Sequence, residues 1–275
     1  MTEEKGVNVE IEEDAEDADE VKATKMALLQ HLQELRKMLI IIVVVVVAAF
    51  CVIFGVFCDY IMAFLTAPLQ EQGINPVYLA LTEALNVEMK VCLLAAIIVT
   101  CPVIIILVWR FIKPALYKHE QKMFGGALVG AILLFFAGVV FSYFVVFNLA
   151  VNFFIFIGEG TAEPMIAISK YVKFLIGFLI PFGLVFELPI VSFILAKLGI
   201  LESKMMSSKR KYIYFAIVVL SAILTPPDIL SMCFMAVPMA VLFELSIFIA
   251  WRVGKRRAKK EAMEAAGGMD PEEAE

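Results

Sequence analysis

The stretch "FLIGFLIPFGLVFELPIVSFILA", residues 174–196, carries one charge, Glu187, in an otherwise apolar run. A run of this length crosses a bilayer as a helix, because hydrocarbon leaves backbone polar groups no partner outside the segment. Five further uncharged stretches have the same character: Met38–Phe57, Val91–Trp109, Met123–Phe147, Tyr212–Leu224 and Ile229–Phe243. The whole chain agrees with them. Of its 275 residues 62% are hydrophobic, and the mean hydropathy is +0.90. A soluble domain sits nearer half apolar. The sequence therefore predicts an all-α integral membrane protein with six transmembrane helices.

An even number of spans puts both termini on one side, and basic residues choose the side. The N-terminal segment, the loops after the second and fourth spans, and the C-terminal tail together carry twenty lysines and arginines. The opposite side holds only Lys90, Lys170 and Lys173. Positively charged loops stay in the cytoplasm, which predicts cytoplasmic termini. The net charge of −5 says little, since the charges are segregated along the chain.

The organisation reads in three parts. Residues 1–25 contain "EIEEDAEDADE" (10–20) and read as a disordered acidic tail without a cleavable signal. Residues 26–252 form the membrane domain, and 253–275 form a charged cytoplasmic tail. Within "MALLQHLQELRKML", Leu28, Leu32, Leu35 and Leu39 share one helical face, so an amphipathic helix runs along the surface before entering the membrane. Asp59–Lys90 reads as the longest external loop, broken by Pro68, Gly73, Asn75 and Pro76, with Thr82 a candidate cap for the next helix. A second external loop is expected over Asn148–Ser169. The fifth span has only 13 residues, about 20 Å at 1.5 Å per residue, before "LTPPD" ends it. That is short of the roughly 30 Å hydrocarbon core. The five cysteines lie in or at the ends of spans with no C-x-x-C pair, so each reads as apolar packing.

Three carboxylates stand out. A charged acid at helix centre costs about 2.5–3.5 kcal/mol on insertion scales, so Glu187 must face protein or water. Pro181, Gly183 and Pro189 loosen the helix around it, which suits a hydrated concave wall. The alternative is a protonated acid bonded to a neighbouring helix as structural glue. Glu34 cannot pair with Arg36, about 200° away on the helix, whereas Lys37 is within reach at i+3. Glu120 follows a basic loop, and with Glu34 it could hold two arginines through parallel guanidinium–carboxylate bonds. His31 reads as interfacial. Glu244 lies near the inner end of the last span, within reach of headgroups or Arg252. No nucleophile–base pair or metal-ligand cluster appears, so neither catalysis nor a cofactor or metal is expected.

Four motifs occur in order: "HLQELRKML", "FIKPALYKHE", "FGLVFELPIV" and "LTPPD". With "LTEAL" and "SYFVVFNLA", they resemble the TatC family, the polytopic subunit of the twin-arginine protein translocase, over Met26–Arg252. The resemblance implies a concave, cup-like bundle with short fifth and sixth helices in a prokaryotic cytoplasmic (inner) membrane. It implies a receptor for signal peptides bearing two arginines, exporting folded proteins on the proton-motive force. TatA-like and TatB-like single-span partners, self-association and contact with the lipid bilayer follow, with no nucleic acid. By the same analogy Glu34 and Glu120 contact the arginines, with Leu32, Arg36, Phe111, Pro114, Tyr117 and His119 shaping the surface. Glu187 corresponds to the family's intramembrane acid. Pro226, Pro227 and Asp228 match the external turn near which partner helices dock. Gln121 and Met232 depart from the pattern, and Ser231 could substitute for a polar residue at 232. A proton-coupled small-molecule secondary transporter is the rival, since it too uses an intramembrane acid and proline-broken helices.

Overall fold

The computed structural model describes residues 32–112, 121–158, 164–225 and 228–265, with side chains at 32–111, 125–158, 164–225 and 228–259. The described chain is almost wholly helical. Helix α1 spans Leu32–Gln70 and widens into a π turn at Ile53–Phe57. Helix α2 spans Glu83–Ile112. Helix α3 runs over 121–158, through a π segment at Ser142–Phe147. Helices α4 (Ile168–Val185) and α5 (Leu188–Lys197) form one broken span. Helix α6 is Ser203–Ser208, α7 is Arg210–Leu224 and α8 is Ile229–Ala265. Five of these segments are long and apolar enough to cross a membrane. The remaining crossing is α7, whose 15 residues reach about 22 Å.

Two expected loops are instead largely helical. The segment from Asp59 continues α1 to Gln70, with Pro68 inside the helix, and the segment from Asn148 continues α3 to Gly158. Pro68 is tolerated because its neighbours repair the bond it removes. Proline has no N–H, so the Phe64 carbonyl four residues earlier loses its donor. The Tyr143 hydroxyl of α3 donates to that oxygen at 2.9 Å, and the Tyr171 hydroxyl of α4 donates to the Leu65 carbonyl at 2.7 Å. Both tyrosines are buried. Tyr143→Phe is therefore expected to cost about 1–3 kcal/mol, the penalty for a buried carbonyl left unmet. Pro68→Ala restores the N–H, so the double variant should recover most of that loss in detergent thermal unfolding. Additive losses would mean that Tyr143 does not serve the proline gap.

The short link after α1 is tied down rather than loose. Val77 forms a parallel bridge with Ala167, its N–H donating to the Ile166 carbonyl at 2.9 Å and its carbonyl accepting from Ile168 at 3.0 Å. Glu83 accepts from the backbone N–H groups of Leu79, Ala80 and, across the link, Ser169. Gln72 bonds Asn152. Thr82 stands at the start of α2, its carbonyl accepting from Asn86 at 3.2 Å.

The main core lies toward this tied end. Leu65, Leu69, Val87, Val91, Phe147, Leu175, Phe178, Met235 and Met239 pack there from five of the eight helices. At the other end a small cluster of Ala196, Ala250 and Val253 joins α5 to α8. The N-terminal half of α1 stands almost bare, with Leu39, Val43, Val44 and Val47 each more than half exposed. Without water around it, such a face is a lipid-contacting one. Among the cysteines, Cys58, Cys92 and Cys101 are buried, while Cys51 and Cys233 face outward.

Helix α8 is longer than its uncharged stretch. It continues beyond Phe243, through Glu244 and the basic run from Arg252, to Ala265. Charged residues end the membrane-compatible part without ending the helix.

Candidate functional site

The broken fourth span builds the intramembrane site. Helix α4 ends at Val185, Phe186 and Glu187 form a turn, and Pro189 opens α5, where its missing N–H costs nothing. Glycines on α3 and α4 hold this turn by reciprocal fits. A Cβ placed on Gly138 would lie 2.7 Å from Phe186 Cγ, and one on Gly183 would lie 2.9 Å from the Phe135 ring. Further along α3, Gly130 receives Ile190 at 3.0 Å. Small residues that let helices approach closely are the usual packing device in membranes. Phe186 also lies against Phe141 and Phe182. Glu187 is thus carried by a turn whose Phe186 is seated on Gly138, with Ile190 just beyond it seated on Gly130.

Its own side chain is not seated in the same way. The Glu187 Oε1 is enclosed and has no hydrogen-bond partner among the described residues. The residue is half-buried, so the carboxyl opens to the surface on its other side. Leu184, Leu188 and Val191 around it are exposed. The buried Cys101 of α2 lies within electrostatic reach. The glue alternative needs a bond to a neighbouring helix, and no such bond is formed among the described residues.

Near the beginning of the described part of α1, Glu34 is exposed, as are Leu32 and Arg36. The expected Glu34–Lys37 pair is not formed: among the described residues Glu34 has no ion pair or hydrogen bond. At a solvated surface such a pair gains too little to order two long side chains. Phe111 is half-buried in the last turn of α2. Glu120, Pro114, Tyr117 and His119 lie outside the described residues, as do His31, Pro226 and Pro227.

At the start of α8, the Asp228 Oδ1 accepts from the Ser231 backbone N–H at 2.7 Å, which makes Asp228 the N-cap of α8. Its Oδ2 and the Ser231 Oγ are both enclosed without a partner among the described residues. Ser231, the candidate substitute for a polar residue at 232, is fully buried in the first turn of α8.

Glu244 was read as within reach of headgroups or Arg252. It binds across to α7: Arg210 Nη2 donates to Oε2 at 2.6 Å, and the Tyr214 hydroxyl donates to Oε1. Arg252, on the same helix, is not its partner. Hairpin arithmetic holds the signal that was available. Arg210 and Glu244 stand sixteen and seventeen residues outward from the Pro226–Pro227 turn, so an antiparallel pair places them side by side.

Residues 30–238 match the family model of the Sec-independent protein translocase protein, TatC. The chain belongs to the TatC family. It is 40% identical over 195 residues to the TatC of Carboxydothermus hydrogenoformans, covering 70% of this chain and 80% of the relative. It is 34% identical over 215 residues to the TatC of Escherichia coli, covering 77% and 83%. Its fold matches a crystal structure described as the twin arginine translocase receptor TatC, with a TM-score of 0.75 and 36% identity over 80% of this chain and 97% of that one. All four motifs fall within the matched residues. Membership in TatC favours a protein translocase subunit over the secondary transporter.

Proposed function

We infer that this TatC-family chain is the signal-peptide receptor and core subunit of a twin-arginine translocase. It lies in a prokaryotic cytoplasmic membrane with both termini inside, and it exports folded proteins using the proton-motive force. The basic-residue asymmetry supports that orientation. Glu34 and Glu120 would receive the arginine pair of a signal peptide at the inner rim. The peptide's apolar stretch would then lie along the thinly packed inner half of the bundle, gaining about 25 cal/mol per Å² buried. TatA-like and TatB-like single-span proteins would assemble against Glu187 and the region of the short α7.

The observation that carries this function is the unclaimed carboxyl of Glu187: an acid costly to hold in hydrocarbon, with an enclosed oxygen that meets no donor from the described helices. A donor arriving on a guest or partner helix removes that cost. The receptor role is tested by fluorescence binding of a signal peptide to purified protein. A twin-arginine peptide should bind about tenfold more tightly than a twin-lysine control, the difference a second parallel guanidinium bond supplies. Glu34→Gln should lower the twin-arginine affinity and narrow that gap. Equal binding of both peptides would overturn the guanidinium fork.

A further inference from the structure

A cavity of about 270 Å³ opens between α6, α7 and α8, lined by Ser203, Ser207, Arg210, Glu244, Phe248 and Trp251. None of these residues entered the receptor function. We propose that this cavity binds the phosphate of an anionic membrane phospholipid.

Its level in the membrane is the first reason. On α7 the apolar run begins just after Arg210, and on α8 it ends at Trp251, directly before Arg252. Both helices therefore change from apolar to basic at the cavity. Phe248 and Trp251 lie against each other at 6.1 Å and are half exposed, as aromatic side chains are where acyl chains meet headgroups. The Lys255 ammonium lies 5.4 Å from the Trp251 ring.

Charge is the second reason. Residues 202–211 and 244–259 hold nine basic side chains against two acidic ones. A basic pocket between helices on the positively charged side of a membrane protein suits an anionic headgroup. One of the two acids, Glu244, is inside the cavity, and both its oxygens are already engaged, by Arg210 and Tyr214. It holds the guanidinium rather than competing for it. The contact with Glu244 uses one of the five guanidinium donors, and the arginine side chain remains 45% exposed. Ser203 and Ser207, one turn apart on α6, face the same space with two hydroxyl donors. Phosphate oxygens meet the guanidinium and the hydroxyls, and Phe248 and Trp251 flank the headgroup on α8.

Native mass spectrometry of the detergent-purified full chain, mixed with equal phosphatidylglycerol and phosphatidylcholine, tests this. The wild type should retain phosphatidylglycerol about tenfold in excess. Arg210→Gln should reduce that excess to below about threefold. Lys90→Gln, which removes one charge on the opposite side of the membrane, should leave it intact. Ser203→Ala combined with Ser207→Ala keeps the Arg210–Glu244 pair and should also lower the excess, so the test stands even if Arg210→Gln does not fold. No preference in the wild type, or equal losses in Arg210→Gln and Lys90→Gln, would overturn the site. Protection by free glycerol phosphate at the same concentration as the lipid would overturn the lipid as its occupant.

Discussion

Gly138→Val is expected to unseat Phe186 and with it the turn that carries Glu187. A Cβ at position 138 meets Phe186 at Cβ and Cγ, within 2.8 Å, and those atoms cannot swing away as a flexible chain end can. Overpacking of this kind costs about 3 kcal/mol, which lowers the unfolding midpoint by roughly 6–12 °C. Gly126→Val on the same helix is the control, because nothing lies within 4 Å of its new Cβ. Thermal unfolding in one detergent should show a large drop for Gly138→Val and almost none for Gly126→Val. Equal drops would mean that helix propensity, not the notch, governs α3. Phe186→Ala placed on Gly138→Val should restore part of the loss, since it empties the same space.

Glu187→Leu is expected to raise the stability of the isolated protein while removing its activity. Replacing an acid that holds an unmet, enclosed oxygen with an apolar side chain of similar size relieves about 1–3 kcal/mol. The midpoint should rise by several degrees in detergent, whereas export in a reconstituted system should fall sharply. Glu187→Gln keeps a hydrogen-bonding group and should retain more partner docking than Glu187→Leu. A lower midpoint for Glu187→Leu would show that the carboxyl already serves the fold.

Much of this architecture was legible because hydrocarbon imposes long uncharged runs. The six spans, the shortness of α7 and the break near Glu187 all follow from apolar length and from proline. Where helices outrun the hydrocarbon, that signal stops. Asp59 and Pro68 read as loop, yet the helix persists to Gln70: Tyr143 of α3 supplies the donor that Pro68 lacks, and Tyr171 of α4 bonds the next carbonyl. Such repair joins residues 79 and 106 positions apart, which local pattern cannot show. The same limit applied to Glu244, read as within reach of headgroups or Arg252, whose partner is Arg210 of α7. Glu187 was legible as an anomaly, but its notched seat depends on Gly138 and Gly183 meeting phenylalanines from the facing helix. Glu34 and Glu120 come from the family resemblance, and their joint contact with an arginine pair belongs to the proposed function.

Photo-crosslinking from Val191, exposed one helical turn after Glu187, addresses the unclaimed acid most directly. In native membranes, a crosslinker there should capture a single-span partner or a signal peptide in the wild-type background. The Glu187→Leu background should lose those adducts. Unchanged protein adducts in Glu187→Leu would contradict the claim that this acid is there to be met by another polypeptide.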